Sequence, residues 1–342
     1  MIVIEGRNVN ELWKQGFDIL DWCGRLCDTR NGTALVSDTP VMSVYQSPTE
    51  RVLFDPVRDA NPFFHLMESL WMLAGRRDAA FLNRYVGDFG DRFGETDGNI
   101  HGAYGHRWRE AFGFSDQLED VIHKLCANLN DRQAVIQMWD ASDRNNDLTG
   151  DWKDRPCNTH LYCRIRGGVL DLTVCCRSND IVWGAYGANA VHFSMLQEYL
   201  AGRIGVGVGT MYQFSNNWHG YTQVLNKVRP SESHLDPYAV ADMHPMPIAS
   251  RWEEWDADLT RFMAWHDNVL WASNTGCEVD AHDLYSRETY ANAWFAEVAA
   301  SVAIANYRWK TKEKHSALNW ARNIAAPDWA AACSSWILRR MK

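Results

Sequence analysis

The sequence has no surplus of positive charge: its formal net charge is -9. Surfaces that hold nucleic acid concentrate cationic side chains, so direct nucleic-acid binding is not expected, and any phosphate site must be local. No apolar run approaches the length that spans a bilayer, and no basic stretch precedes an apolar one at Met1. A membrane partner is therefore not expected, and a reducing, cytoplasmic setting is. Cysteines are sparse and irregular, 9 in 342 residues, which fits free thiols rather than a disulfide framework. Cys23 and Cys27 lack a second pair, so they read as buried packing residues within a helix, and no metal is expected. The adjacent Cys175 and Cys176 read as small core fillers. What is present is 46% hydrophobic content over 342 residues, enough for a large core and for a single elaborated domain, 1–342.

Helical spacing of Leu12, Trp13, Phe17, Leu20, Cys23 and Cys27 after Asn8 predicts a helix over 8–27. A turn at 30–33 follows, then strands over 35–44, interrupted at Pro40, and over 52–54. The run from Pro62 to Leu73 is apolar nearly all round and predicts a buried helix with Glu68 inside it. Gly and Asp around Phe89 and Phe93 make 86–101 a loop over a pocket. The pattern continues as a helix over 117–129, a strand over 134–139 and a charged loop over 140–155. Strands over 161–166 and 169–176 flank Gly167-Gly168, a two-residue hairpin signal. An apolar helix over 190–204 precedes a strand over 206–214, which delivers His219 and Tyr221 beyond its end. After Val228 come prolines and histidines up to Pro247, then Trp-rich helical segments over 251–271 and 288–307. The whole reads as α+β, with 229–342 a divergent Trp-rich C-terminal region.

Arg155-Pro156-Cys157-Asn158 and Arg177-Ser178-Asn179-Asp180 carry the chemistry. A thiol beside cations has a lowered pKa and suits a nucleophile, although a lone cysteine is more often a packing residue. Arg177, ending its strand, can meet a phosphate with its guanidinium fork while Ser178 adds a hydroxyl; a surface ion pair is the plain alternative. Glu68 in an apolar helix needs a partner or a raised pKa. His219 and Tyr221 would point the same way along an extended segment and can hold a sugar hydroxyl; alone they would be ordinary core residues. These residues by themselves leave protease, redox and transferase chemistry open. A thiol hydrolase pairing Cys157 with His160, His192 or His219 would leave Glu68 and the Arg-Ser-x-Asp element unexplained.

Five motifs stand in register along the chain: Glu68-Ser69-Leu70-Trp71-Met72-Leu73-Ala74-Gly75, Ala103-Tyr104-Gly105-His106-Arg107-Trp108-Arg109, Pro156-Cys157, Arg177-Ser178-x-Asp180-x-x-x-Gly184 and His219-x-Tyr221. On these residues the chain resembles the thymidylate synthase family from Leu12 to about Tyr221; the last third does not align. The resemblance implies a thymidylate synthase-like α+β fold, a mixed sheet packed on helices, with sheets back to back across an obligate homodimer. It implies a pyrimidine nucleoside monophosphate as substrate, dUMP favoured, and 5,10-methylenetetrahydrofolate as co-substrate. Cys157 would add to C6, making C5 a carbon nucleophile. Glu68, through ordered water, and Tyr104 would move protons. Asp180, Arg58, Phe89 and Gly184 would face the folate. Arg30, Arg177 and Ser178 would hold the phosphate, with Arg132 reaching the other subunit's site. Asn189 and Asn158 would address the base, and His219 and Tyr221 the sugar.

Departures from the family pattern bear on the product. Ala185-Tyr186-Gly187-Ala188 is one residue longer than the pattern between Gly184 and Asn189, where Pro-Phe is expected. Asn158 replaces a His, and Gln133 replaces the second of two adjacent arginines. The loop around Phe89 and Phe93 lacks the tryptophans that normally shield the methylene intermediate, and Arg339-Arg340-Met341-Lys342 replaces a small apolar ending. Reduction to methyl needs that intermediate kept from water; with water admitted the product is hydroxymethyl. The expectation is a 5-hydroxymethylase of the kind found in viruses with modified DNA bases, acting in the host cytoplasm. Methylation of dUMP is the alternative. Asn189 favours uracil, but its amide can be flipped to suit dCMP or CMP. A catalytically inactive nucleotide-binding homologue is the distant reading.

Overall fold

The computed structural model describes residues 1–113, 115–142, 146–231, 235–241, 243–270 and 289–341. The chain opens on strand β1 (Ile2–Gly6) and enters helix α1 (Val9–Cys23) through a cap. Asn8 Oδ1 accepts from the amides of Asn10 at 2.9 Å and Glu11 at 3.4 Å, satisfying donors that a helix start leaves open. The helix buries Leu12, Trp13, Phe17 and Leu20, and ends where Gly24 turns extended at φ -69°, ψ 140°. Cys27 therefore lies outside it, exposed in strand β2 (Arg25–Thr29), and Cys23 is half-buried, so neither thiol is a core packing residue. A turn at Arg30 and Asn31 leads to β3 (Gly32–Val36), and β4 (Val41–Tyr45) follows Pro40.

Residues 52–54, expected as a strand, are not one. Side chains replace a ladder there: Val52 O accepts from Asn10 Nδ2 at 3.1 Å, Phe54 N donates to Asn10 Oδ1 at 2.9 Å, and Val52 N donates to the Tyr238 hydroxyl at 3.3 Å. Helix α2 (Pro62–Leu73) is capped by Asn61, starts on a proline and is buried nearly all round, Glu68 included. Short helices α3 (Ala79–Asn83), α4 (Phe89–Phe93) and α5 (Tyr104–Arg109) follow, α4 within the expected loop, and then α6 (Gln117–Ala127).

The remaining strands are β5 (Val135–Gln137), β6 (Asn158–Arg166), β7 (Val169–Asp180) and β8 (Gly207–Tyr221). Gly167 and Gly168 join β6 to β7 with φ of 59° and 81°, left-handed values that a tight hairpin turn needs and glycine adopts freely. β7 runs past Cys176 to Asp180, and β8 runs past Phe214, so His219 and Tyr221 lie within the strand and not beyond it. Of the adjacent cysteines, Cys176 fills core while Cys175 is half-buried.

Among the described residues the strands form one eight-stranded mixed sheet in the order β1-β4-β8-β7-β6-β5, with the β2–β3 hairpin joined to β8. β7 and β8 run parallel, which requires a crossover. The crossover is a helical segment, Ile181–Ala188, kinked at Gly187 and continued by helix α7 (Asn189–Ile204), whose residues Asn189–Ala201 are all buried, with the sheet and α2 packed against the helix. Helices Trp255–Trp265, Ser301–Lys310, Lys314–Arg322 and Pro327–Met341 complete the α+β fold. The expected helix ends at Trp271 and Glu288 lie outside the described residues. The C-terminal helices share the core: Trp336 packs edge-on against Phe63 with ring centres 5.4 Å apart.

Candidate active site

Strand register assembles the site. The parallel β7–β8 pair sets Ser178 opposite Asn217 and Asp180 opposite His219. On the other side of β8, antiparallel β3 sets Val36 opposite His219 and Ala34 opposite Tyr221, which carries the Arg30 turn to the same end. Cys157 precedes β6, where its carbonyl accepts from the Arg177 amide at 2.9 Å. The result is a cavity of about 600 Å³ lined by Arg30, Cys157, Arg177, Ser178, Asp180, His219 and Tyr221. Arg155, singled out in the sequence as a cation beside the thiol, lines it too, as do Asn31 and Asp154; Asp154 lies in a charged loop that reads as solvent-facing, so sequence reasoning missed it. Asn31 Nδ2 donates to the Tyr221 hydroxyl at 3.3 Å, and the buried Nδ1 of His219 has no hydrogen-bond partner.

Arg177 Nη2 lies 3.9 Å from the Cys157 sulfur, while its Nε donates to Pro156 O at 2.8 Å and Nη2 to Arg155 O at 3.1 Å. The guanidinium is thus fixed beside the thiol. The expected lowering of the thiol pKa is nevertheless not found: burial pushes it up, and Arg177 and Arg30 offset that only in part. The Tyr104 hydroxyl accepts from the Cys157 amide at 3.1 Å and from the Asn158 amide at 3.3 Å. Burial raises the Tyr104 pKa well above the usual phenol value, so its proton stays on and can be donated.

A smaller adjoining cavity of about 180 Å³ is lined by Glu68, Trp71, Phe89, Phe93, Tyr104 and Asp154. Phe93 and Asp154 line both cavities. The loop indeed contributes phenylalanines and no tryptophan, but Trp71 of α2 stands in the wall. Glu68 Oε2 is 2.9 Å from His192 Nε2 on α7, without the alignment of a hydrogen bond, and neither atom has another partner. His192 is a neighbour of Glu68 that helical periodicity on α7 alone does not single out.

Asp180 Oδ1 accepts from the amides of Val182 at 2.7 Å and Trp183 at 2.8 Å, starting the crossover segment, while Oδ2 is buried without a partner. Burial raises the Asp180 pKa. Behind it, Arg58 donates to Val182 O from Nε at 3.1 Å and Nη2 at 2.7 Å, and lies 4.9 Å from the Trp183 ring centre. Burial pulls the Arg58 pKa down to about 10. Asn189 Nδ2 donates to Asn179 Oδ1 at 3.2 Å, and Gly184 packs on that same oxygen. Within the longer segment the backbone is kinked at Gly187, whose φ of -106° and ψ of -112° are not helical.

Arg58, Gly184 and Asn189 therefore stand behind the cavity wall and do not line it. Asn158 is turned into the sheet, its Oδ1 accepting from the Cys176 thiol at 2.6 Å. Arg132 is exposed, in a separate surface hollow with Asp131 and Gln133, and is not brought to Cys157 within this chain.

The chain belongs to the thymidylate synthase family and is a transferase: that family's model, described as Thymidylate synthase, matches residues 29–248. Over 99% of its length the chain is 41% identical to a protein of Pseudomonas phage M6 named deoxyuridylate hydroxymethyltransferase, covering 95% of it. A Bacillus phage SP01 protein of the same name is 42% identical over 53% of this chain and 49% of its own. The thymidylate synthase of T4 phage shares the fold, with a TM-score of 0.50 and 22% identity over 65% of this chain and 82% of that one.

Proposed function

We propose that the enzyme transfers one carbon from 5,10-methylenetetrahydrofolate to C5 of dUMP through a covalent Cys157–C6 adduct, and that water completes the product as 5-hydroxymethyl-dUMP. The carrying observation is the single cavity lined by Cys157, Arg177, Ser178, Asp180, His219 and Tyr221. Likeness over 99% of the chain to a phage protein named for hydroxymethylating deoxyuridylate supports the choice of product.

Arg177, Arg30 and Ser178 hold the phosphate by charge-assisted hydrogen bonds. His219, through its unpartnered Nδ1, and Tyr221 take a sugar hydroxyl. Cys157 adds to C6 as thiolate, which pushes electrons through C5 towards O4 and makes C5 the nucleophile. Glu68 and Tyr104 move protons at the base. Asn189 and Asn158 set the base edge indirectly, through Asn179 and the sheet interior.

The residues present also fit a folate. Asp180 Oδ2 and Glu68 Oε2 are buried acceptors without hydrogen-bond partners, suited to ring N–H groups. Phe89 and Phe93, ring centres 4.8 Å apart, form an aromatic wall; Arg58 and Gly184 back the segment that Asp180 starts. A bound folate supplies the one-carbon unit. A homodimer is part of the proposal, with Arg132 completing the phosphate site of the second subunit. Val135 and Tyr162, partners across β5 and β6, are both exposed on the sheet face that a second copy would cover.

The test is incubation with methylenetetrahydrofolate and each of dUMP, dCMP and CMP, read by mass analysis of nucleotide and folate. Hydroxymethyl-dUMP with tetrahydrofolate is the expected result. Methyl product with dihydrofolate would replace it with a true thymidylate synthase, and no carbon gained on any nucleotide would overturn the reading.

A further inference from the structure

Asp154 is a carboxylate that the reaction as described so far does not use. It lies on the partition between the two cavities, facing Cys157 on one side and Glu68 and Tyr104 on the other. Its Oδ2 packs so closely on Gly102 that any side chain there would overlap it. Among the described residues it makes no ion pair, and its hydrogen-bond donor is the Gly102 amide. A carboxylate held this way keeps acceptor sites open towards the cavity.

We propose that Asp154 is the general base that activates the water added to the C5 methylene group of the enzyme-bound nucleotide, a role that rests on the hydroxymethylating reading above. The water oxygen bonds to the exocyclic carbon while Asp154 takes one of its protons. The electron pair of the exocyclic double bond moves through C5 to O4. Return of that pair re-forms C5=C6 and expels Cys157 as thiolate, and the proton on Asp154 passes to solvent. Nothing is oxidised or reduced, so tetrahydrofolate leaves unchanged.

Charge around the carboxylate suits this task. Burial lifts its pKa to about 6, against the pull of Arg107, His101 and Arg177 and the Gly102 amide. Cys157 and Tyr104 face it from the turn before β6 and from α5, each feeling its charge, and Glu68 faces it across the smaller cavity. A base with a pKa near the working pH is ionised yet still basic enough to take a proton.

The experiment compares wild type with Asp154→Asn and Asp154→Glu. With 5-fluoro-dUMP and methylenetetrahydrofolate, all three should form the Cys157 adduct. With dUMP and 2-mercaptoethanol, Asp154→Asn should divert the methylene group to a thioether while hydroxymethyl product falls about 10²-fold, and Asp154→Glu should regain part of it. The wild-type rate should rise with pH through about 6, and that limb should vanish in Asp154→Asn. In the free protein, iodoacetamide alkylation of Cys157, followed by mass mapping, should shift to lower pH in Asp154→Asn, because a negative neighbour has gone. An unchanged hydroxymethyl rate and pH profile in Asp154→Asn overturns the assignment, as does loss of the fluoro adduct along with product. Wild type that forms the adduct but yields only methyl product, or none, overturns the parent reading and this role with it, and so is told apart from failure of Asp154 alone.

Discussion

The Cys157 amide donates to the Tyr104 hydroxyl at 3.1 Å, which ties the turn before β6 to helix α5. Tyr104→Phe leaves that amide and the Asn158 amide without their acceptor. The cost should be about 1–3 kcal/mol of stability, read by urea unfolding. Adduct formation with 5-fluoro-dUMP should slow while nucleotide affinity holds; an unaltered rate would remove Tyr104 from the positioning of Cys157.

Cys157→Ser should abolish the adduct and turnover while leaving nucleotide binding largely intact, as read by calorimetry. Full activity in that variant would contradict the nucleophile.

The thiol titrates in a definite direction. Burial favours its neutral form, so alkylation in the free enzyme should rise with pH through a midpoint above the ordinary thiol range. Arg177→Ala removes the cation that opposes burial and should move the midpoint higher still. A downward shift would contradict the electrostatic role given to Arg177.

Arg51 and Glu198 form a buried ion pair, and Glu198 Oε1 also accepts from the Ile248 amide at 2.9 Å. Arg51→Met strands a charge in the core and should cost about 3–5 kcal/mol in chemical denaturation, most of it recovered in Arg51→Met/Glu198→Leu. Equal stability of single and double variants would show that the pair is not coupled.

Arg132→Ala should weaken nucleotide binding although the residue lies outside the cavity of its own chain. Mixed with Cys157→Ser protein, it should regain activity, since hybrid dimers hold one complete site. No recovery on mixing would remove Arg132 from the site.

Motif order made this grouping legible: Arg177, Ser178, Asp180, His219 and Tyr221 share one cavity because β7 and β8 carry them in register, and Cys157 joins them from the turn before β6. The misreadings have local causes. Helical spacing ran on to Cys27 because the apolar period survives Gly24, where the backbone turns extended. Residues 52–54 looked like a strand, but their partners are the side chains of Asn10 and Tyr238, far off in sequence. Asn158 follows the nucleophile, yet strand alternation turns it to the opposite face. Asp154 sits in a run of charges that reads as solvated, and only the fold shows it against Gly102. The thiol's raised pKa was hidden for the same reason: cationic neighbours are written in the sequence, and burial is not.

The segment before α7 is also anchored in the core. Tyr186, inside that segment, is hydrogen-bonded to Ser43 at 2.9 Å and seated against Gly16, where no larger residue fits. Deleting one codon would restore the shorter segment but swing this buried phenol out of a seat built by two distant elements. Shortening this segment would therefore cost core packing on Gly16 and Ser43, neither of which lines the cavity.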